Sequence, residues 1–478
     1  MTRRICRSVL ALLGVLAMTA HAAPAAAVLR AETVLPVRPV SAANASVFAT
    51  PLAYRDDVIY TVNVETGTAP VPLHGLGLRT VIRRGERDAT GRWRWRSHVL
   101  DTTTPNDPYH TQASVGLDER GYVHVAYGMH YVPWQYAVST EPGMIESFIF
   151  RGQRMTRDQR YASQHRDVEF PGPGTAAIPG MQVTYPAFFN DRHGALYVTY
   201  RYALFPARTW QERVFAGAIA RYDVDTRQWR QLGGAVRIDR DDAALPPGQN
   251  ETFTRPFAGE PGWWAYQIRL AFDPNNGMHA SWLWRIGNSG PDNTRPSYAY
   301  APAGSERFFR SDGSAYTLPI RLNDAERIAP DTLPALSPRG FYNPARMTVT
   351  AGGVPVVTVQ ALNGRRYAIR RTADGWAEPE RVPRDGWQIR FDDEGHEWAF
   401  ASGLTVLRRN VDLDGVPASD WQTVFDGRKT PATRLCNPRV VEAADERAFY
   451  VHANQLDAGG RCRDDRIAIL ALHRSDSE

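Results

Sequence analysis

Cysteine is scarce in this chain, with only three among 478 residues. Cys6 lies in an N-terminal segment that we expect to be removed, so Cys436 and Cys462 remain. Two cysteines without a flanking histidine pattern make a poor zinc site. In an oxidising compartment they most simply form one disulfide, and two free thiols are the alternative.

Long apolar runs are also missing, because no stretch reaches the ~18 residues that a membrane-spanning helix needs. One short run, Val9–Thr19, follows positive charge in residues 2–8 and precedes Ala20-His21-Ala22, which has the small-x-small pattern of a signal-peptidase site. We therefore predict a signal peptide over residues 1–22, cleaved near Ala22. The mature chain should be secreted or periplasmic, with no membrane attachment.

Strong charge of one sign is absent as well. The formal net charge is +5, and it falls to +2 once the three arginines of the predicted signal peptide are removed. A mature chain of this charge presents no strongly cationic surface. No phosphate-binding loop, dinucleotide fingerprint or nucleic-acid module is found in the sequence, so we expect no nucleic-acid partner.

Turn-forming residues, by contrast, are plentiful: 38 glycines and 34 prolines are spread along the chain. A recurring pattern accompanies them, in which an apolar strand, a polar Asp/Gly turn and a second apolar strand with aromatics follow one another. Each copy predicts a β-hairpin. The copies are Ala113–Tyr127, Pro186–Tyr200, Ile268–Trp282, a weaker Ala345–Val359, Trp387–Trp398, and a degenerate Val440–His452.

Hairpins repeated at this spacing are typical of β-propeller blades, because a single hairpin cannot bury its own faces. The predicted fold class is therefore all-β: a seven-bladed β-propeller that forms a single closed domain over residues 23–478. Two stacked β domains and the hairpins of a sandwich are the alternatives. We expect a monomer.

Four polar residues lie at the ends of the first two hairpins. His110 precedes the first strand of one hairpin, and His130 ends its second strand. Tyr185 and Arg201 take the corresponding places in the next copy. Neighbouring strand ends lie side by side, so we expect the four side chains to converge on one pocket.

These residues carry a family resemblance. The segment from His110 to Ser139, followed by Thr184-Tyr185-Pro186 and by Arg201, resembles the BNR-repeat propeller polysaccharide lyases, which are best known as ulvan lyases. The resemblance implies a seven-bladed propeller and a substrate in which rhamnose is 4-linked to glucuronate or iduronate. It places His110 and Tyr185 at the acid/base positions, His130 beside them, and Arg201 where it neutralises the substrate carboxylate.

The residue types suit β-elimination. A guanidinium on the uronate carboxylate stabilises the charge that develops when the C5 proton leaves, which suits Arg201. A neutral imidazole is well matched to take that proton near neutral pH, which suits His110. Tyr185 then protonates the leaving oxygen, and His130 is a second neutralising or orienting group. The roles of His110 and Tyr185 are exchangeable at this stage.

Further contacts with an acidic polysaccharide are expected from Trp134, Trp210 and Arg285. No cofactor is required for such a reaction. Acidic pairs such as Asp392-Asp393 leave structural calcium open, although most such pairs are solvated turns. Some relatives hold a structural zinc ion on Cys and His near the third repeat, but Met278–Arg285 contains no cysteine, so we expect no zinc.

Two other function classes remain at this stage. A propeller glycoside hydrolase, sialidase-like or rhamnosidase-like, needs a carboxylate pair or a tyrosine nucleophile at the pocket. No carboxylate pair occurs at the inferred site, and the sialidase Ser-x-Asp-x-Gly-x-x-Trp box is not found. A non-catalytic carbohydrate-binding propeller would use tryptophan rings as stacking platforms.

Overall fold

Strands dominate the chain. A computed structural model describes residues 29–45, 47–71, 75–104, 110–132, 134–151, 181–203, 215–239, 251–286, 293–386, 388–443 and 447–474. The predicted signal peptide and Trp210 lie outside the described residues. Among the described helices, none is long and apolar enough to cross a membrane. These helices are α1 (Leu333–Leu336) and four 3₁₀ turns, Ala42–Ala45, Pro383–Asp385, Gly427–Lys429 and Pro431–Thr433.

The strands are numbered in chain order. The first half contains β1 (Leu29–Pro39), β2 (Leu52–Arg55), β3 (Val58–Val71), β4 (Gly75–Arg87), β5 (Trp93–Thr104), β6 (Ser114–Leu117), β7 (Val123–Ala126), β8 (His130–Val132), β9 (Tyr136–Ser139), β10 (Phe148–Phe150), β11 (Met181–Asn190), β12 (Leu196–Ala203), β13 (Phe215–Asp223), β14 (Gln228–Gln231), β15 (Val236–Asp239) and β16 (Glu251–Thr254). The second half contains β17 (Trp263–Phe272), β18 (Met278–Ile286), β19 (Asn293–Ala301), β20 (Glu326–Arg327), β21 (Phe341–Val349), β22 (Pro355–Ala361), β23 (Arg366–Thr372), β24 (Gly375–Trp376), β25 (Glu380–Arg381), β26 (Gln388–Phe391), β27 (His396–Ala401), β28 (Thr405–Asn410), β29 (Gln422–Asp426), β30 (Leu435–Ala443), β31 (Ala448–Leu456) and β32 (Cys462–Arg474).

The six predicted hairpins are all present as antiparallel pairs: β6–β7, β11–β12, β17–β18, β21–β22, β26–β27 and β30–β31. Further strands extend these pairs into antiparallel sheets, such as β6-β7-β9-β10 and β26-β27-β28-β29. A single register pair, Asn293↔Phe341, joins the β17 and β21 sheets. β15 and β16 form a separate two-stranded ribbon.

An aspartate at the start of the turn explains why the hairpins repeat. The Asp118 Oδ1 atom accepts hydrogen bonds from the backbone N–H groups of Arg120 and Tyr122, both at 2.9 Å. Asp273 and Asp392 accept two backbone hydrogen bonds in the same way. These bonds satisfy amides that the turn would otherwise leave unpaired, so the Asp-x-x-Gly signal has a direct structural cause.

One hairpin, β2–β3, is missing from the predicted set. Its two-residue turn is Asp56-Asp57, and both residues have positive φ, at 51° and 62°. Such a turn is usually occupied by Asn-Gly or Asp-Gly. The hairpin could not be predicted because its turn lacks the usual glycine and because β2 has only four residues.

The first strands of the hairpins form a circle. Each of β2, β6, β11, β17, β21, β26 and β30 contacts the next in this order, and β30 contacts β2. The sheet of β30, β31 and β32 takes β1 as its outer strand, so the two ends of the described chain pair with each other. Packing between neighbouring sheets forms the core; Trp134 and Tyr136 pack with Val198 and Ala218 of the following sheet. This is a propeller-type all-β arrangement.

Candidate active site

His110 and His130 lie in direct contact. Their imidazole rings are parallel, with an interplanar angle of 2° and centroids 4.1 Å apart. Both side chains are half-buried. The predicted contact is therefore present, but the route to it differs. β7 ends at Ala126, and His130 begins the separate strand β8, which pairs with β11 of the next sheet through Thr184.

Tyr185 lies beside this histidine pair. Its ring centroid is 6.0 Å from that of His110 and 6.2 Å from that of His130. The residue has φ of +61°, inside a register shift of β11 between Thr184 and Ala187. Gln267 and Asn437 also have positive φ, 51° in each case, in other first strands. The bulge is thus a feature of the repeat. At this position it changes the direction of the Tyr185 side chain.

Arg201 lies behind Tyr185. It is opposite to Thr184 in the β11–β12 register, and its guanidinium carbon lies 4.8–5.6 Å from the centroids of four aromatic rings, those of Tyr185, Tyr266, Phe215 and Trp264. Its exposed fraction is only 1%. The positive charge is therefore enclosed by aromatic faces, an arrangement that stabilises a desolvated cation.

Two residues that the sequence analysis did not assign complete the cluster. The Tyr266 hydroxyl donates a hydrogen bond of 3.0 Å to the Tyr185 hydroxyl. Phe48 packs on the Tyr185 ring with centroids 4.5 Å apart. Tyr266 immediately precedes the positive-φ residue of β17, as Thr184 does on β11, and this repeat position is the signal that points to it. Phe48 lies before β2 and belongs to no repeat.

The three predicted substrate-binding residues have different locations. Arg285 lies at the cluster: its Nη1 donates a hydrogen bond of 3.0 Å to the Tyr266 hydroxyl, and its side chain is half-buried. Trp134 is only 2% exposed and packs edge-on against Tyr200, so it is a core residue and its ring is not open to a sugar. Trp210 lies outside the described residues.

A buried group of one aspartate, one histidine and one tyrosine near the cluster has a structural role. His124 is fully buried, and its ring nitrogens lie 2.6 Å from the Tyr136 hydroxyl and 3.2 Å from Asp118 Oδ2. Burial lowers the pKa of His124, while Asp118 opposes the shift. His279 repeats the arrangement with Tyr298 and Asp273. These groups tie a turn to the third strand of its sheet and have no access to a substrate.

The same contacts bear on metals. Both ring nitrogens of His279 have protein partners, so this histidine does not fit the zinc site that the family resemblance implies. In the described part of the chain, Asp392, Glu394 and His396 form an acidic group at a turn. Asp392 already binds backbone amides and His396 there. Calcium binding stays a prediction.

Comparison with known proteins places the chain in a family. A model of the BNR repeat-containing family matches residues 79–382, which is more than half of the sequence. The chain belongs to the BNR repeat-containing family. The family match spans β5 to β25 and includes the residues of the cluster except Phe48. No curated protein sequence matches this chain significantly.

Solved structures of polysaccharide lyases share the fold of this chain. The polysaccharide lyase Uly1 superposes with a TM-score of 0.58 at 13% identity, covering 94% of this chain and 100% of its own. An ulvan lyase of family PL25 superposes with a TM-score of 0.55 at 12% identity, covering 92% and 95%. The same type of enzyme bound to -[GlcA(1-4)Rha3S]- gives 0.54 at 11% identity, covering 94% and 95%. At such low identity the similarity shows the fold alone.

Proposed function

We propose that this chain is an exported polysaccharide lyase that cleaves a uronate-containing polysaccharide of the rhamnose–glucuronate or rhamnose–iduronate type by β-elimination. The observation that carries the proposal is the convergence of His110, His130, Tyr185 and Arg201 from different sheets into one cluster. Two half-exposed imidazoles border a phenol there, and a guanidinium lies behind it.

The fold relatives support the substrate class. One of the ulvan lyases that share this fold is bound to a repeating glucuronate–rhamnose unit with a sulfate group. We further propose that the circle of first strands corresponds to seven blades of one closed domain, and that the protein acts as a monomer without a catalytic cofactor. The disulfide between Cys436 and Cys462 fits an oxidising compartment and hence export.

The proposed reaction gives a role to each end of the bond that is cleaved. A base removes the C5 proton of the uronate, the electron pair forms the C4–C5 double bond, and the C4–O bond breaks as an acid protonates the leaving oxygen. In our assignment His110 is the base and Tyr185 the acid. The exchanged assignment also fits, because the hydrogen bond that Tyr266 donates to the Tyr185 oxygen stabilises a phenolate.

Burial changes the role that we propose for Arg201. A side chain that is 1% exposed is poorly placed to hold a substrate carboxylate in a bidentate grip. We therefore propose that Arg201 acts electrostatically through Tyr185 and Tyr266. The half-buried Arg285, which is bonded to the Tyr266 hydroxyl, is then the better candidate to neutralise the substrate carboxylate.

The test is a panel of acidic polysaccharides incubated with the purified protein. A lyase produces a conjugated unsaturated uronate, which absorbs in the ultraviolet. A hydrolase would release reducing ends without that absorbance, and a carbohydrate-binding propeller would bind polymer without releasing products. Either of the latter two results contradicts the proposal.

Variants then test the site. We expect His110→Ala and Tyr185→Phe each to lower kcat/KM by about 10²–10⁴-fold, the range for loss of a general acid or base. The matched control is His193→Ala, because His193 is exposed at the turn between β11 and β12. Full activity of both site variants would show that the cluster is not the catalytic site. Arg285→Gln should raise KM on acidic polymer more than Arg201→Gln does.

A further inference from the structure

A cavity lies at the centre of the circle of first strands, apart from the proposed catalytic cluster. The cavity has a volume of about 520 Å³ and is lined by residues of β2, β6, β11, β17, β21, β26 and β30. This volume is within the range of sites that hold small organic ligands. The four residues of the catalytic cluster do not line it.

The two sides of this central cavity differ in chemistry. Four consecutive first strands, β17, β21, β26 and β30, each contribute one arginine. The other first strands contribute apolar side chains such as Leu52, Val115 and Phe188. The arginines are Arg269, Arg346, Arg390 and Arg439.

Two of these arginines donate hydrogen bonds to neutral carbonyl groups. Arg269 Nη2 donates to the Val47 carbonyl oxygen at 3.0 Å, and Arg390 Nη2 donates to the Val440 carbonyl oxygen at 2.9 Å. Arg439 Nη2 lies 3.3 Å from Gln112 Oε1. The carbonyl contacts hold the guanidinium groups of Arg269 and Arg390 in place and are themselves neutral.

Negative charge in the cavity wall is small by comparison. Among the described residues that line the cavity, Glu442 is the only carboxylate. Its Oε1 atom pairs with Arg474 at 3.3 Å, and Arg474 is not part of the lining. Burial raises the pKa of Glu442 to about 6. The wall therefore carries a clear excess of positive charge at neutral pH.

The arginines also act on one another. Burial, together with repulsion from Arg439, lowers the pKa of Arg269 to about 9. Burial lowers the pKa of Arg346 too, and the charges of Arg269, Arg439 and Arg390 lower it further. An anion in the cavity would relieve the repulsion between these arginines.

We propose that the central cavity is a binding site for an oxyanion, a carboxylate, sulfate or phosphate group, carried on a body no larger than a sugar. The anionic group would contact the arginines, whose planar guanidinium groups match such oxygens. The body would lie against the apolar side.

The segment 47–50 separates this site from the catalytic cluster. Phe48 packs on Tyr185, whereas Val47, Ala49 and Thr50 line the central cavity. The two sites are therefore neighbours with a thin wall between them. Anion binding does not depend on the proposed lyase activity, so the two proposals can fail separately.

The experiment titrates the full mature protein with sodium sulfate, sodium phosphate and sodium glucuronate at millimolar concentration, against sodium chloride at equal ionic strength. Isothermal calorimetry and the Tm are the readouts. We expect a saturable signal with at least one oxyanion and none with chloride. Stronger binding of glucuronate than of the inorganic ions would identify a sugar-borne anion, and the reverse order a free inorganic one.

Variants assign the signal to the cavity. Arg346→Gln and Arg390→Gln should each weaken binding about tenfold or more, the effect of losing one charge-assisted hydrogen bond. Arg94→Gln is the matched control, because the Arg94 side chain is 69% exposed. No saturable signal with any oxyanion, or unchanged binding in the folded cavity variants, would overturn the proposal. The wild-type titration decides it even if neither variant folds.

Discussion

The imidazole ring of His130 covers one face of the imidazole ring of His110, in a parallel stack at 4.1 Å. A stack of this kind fixes the orientation of the His110 ring. We therefore expect His130 to position the His110 ring, a contribution that is distinct from any contact between His130 and the substrate.

Substitutions at His130 separate these two contributions. His130→Ala removes the stacked ring, and we expect kcat/KM on a uronate polymer to fall by up to about 10²-fold, as for a misplaced catalytic group. His130→Phe keeps a ring in the stack and should restore part of the loss. Equal loss in both variants would indicate that His130 itself contacts the substrate. His193→Phe controls for an added aromatic ring at an exposed position.

Tyr266 supports Tyr185 through one hydrogen bond, so Tyr266→Phe should have a smaller effect than Tyr185→Phe. Loss of one neutral hydrogen bond costs about 1 kcal/mol, which is about fivefold in kcat when the bond is made in the transition state. Measurement of kcat and KM for both variants checks the order. An inactive Tyr266→Phe together with an active Tyr185→Phe would exchange the roles of the two tyrosines.

His452 predicts a loss of stability in acid. Burial, followed by the charge of Arg439, lowers the pKa of His452 to about 3. The unfolded chain binds a proton there below about pH 6.5, whereas the folded chain does not. The stabilisation is thus complete above pH 6.5 and is lost as the pH falls toward 3, by at most about 1.4 kcal/mol per pH unit.

The His452→Gln variant tests this dependence. Its free energy of unfolding should vary less with pH between about 6.5 and 4 than that of the wild type, when both are measured by urea titration at several pH values. His193→Gln, at an exposed turn, should keep the wild-type slope. A wild-type slope in His452→Gln would assign the acid sensitivity to other groups.

The Cys436–Cys462 disulfide closes a loop with a sequence separation of 26 residues. Loop-closure entropy predicts that Cys436→Ala together with Cys462→Ala lowers the free energy of unfolding by about 3.5 kcal/mol. The midpoint of urea unfolding measures this loss. Treatment of the wild type with reductant should reproduce it and leave the double variant unchanged. Equal stability of both proteins would mean that the crosslink contributes nothing.

The repeat, the disulfide and the convergence of the four polar residues could be predicted from the sequence. The hairpins and the four residues follow from one repeated pattern, and the disulfide follows from the presence of only two cysteines beyond the predicted signal peptide. An aspartate that binds its own turn amides recurs at Asp118 and Asp273, and it marks the hairpins wherever it occurs. The β2–β3 hairpin was missed because Asp57 replaces the expected glycine.

Residues that act over long sequence distances could not be predicted in this way. Phe48 reaches Tyr185 across more than a hundred residues, and no periodicity links the two. The burial of individual side chains could not be predicted either. From the sequence, Trp134 and Arg201 are expected to contact substrate, whereas both are buried in the structure. A repeat pattern shows which strand end a side chain occupies but not what covers it.

The pairing of β1 with β32 joins the part of the described chain that is made first to the part that is made last. Leu29 leaves the ribosome early, yet its partner Arg474 is among the last described residues to be made. During translation the first strand stays without its partner until the thirteen residues of β32 have been made. A chain truncated before Cys462 would therefore lack β32, so that β1 would have no strand to pair with and β31 would become an exposed sheet edge.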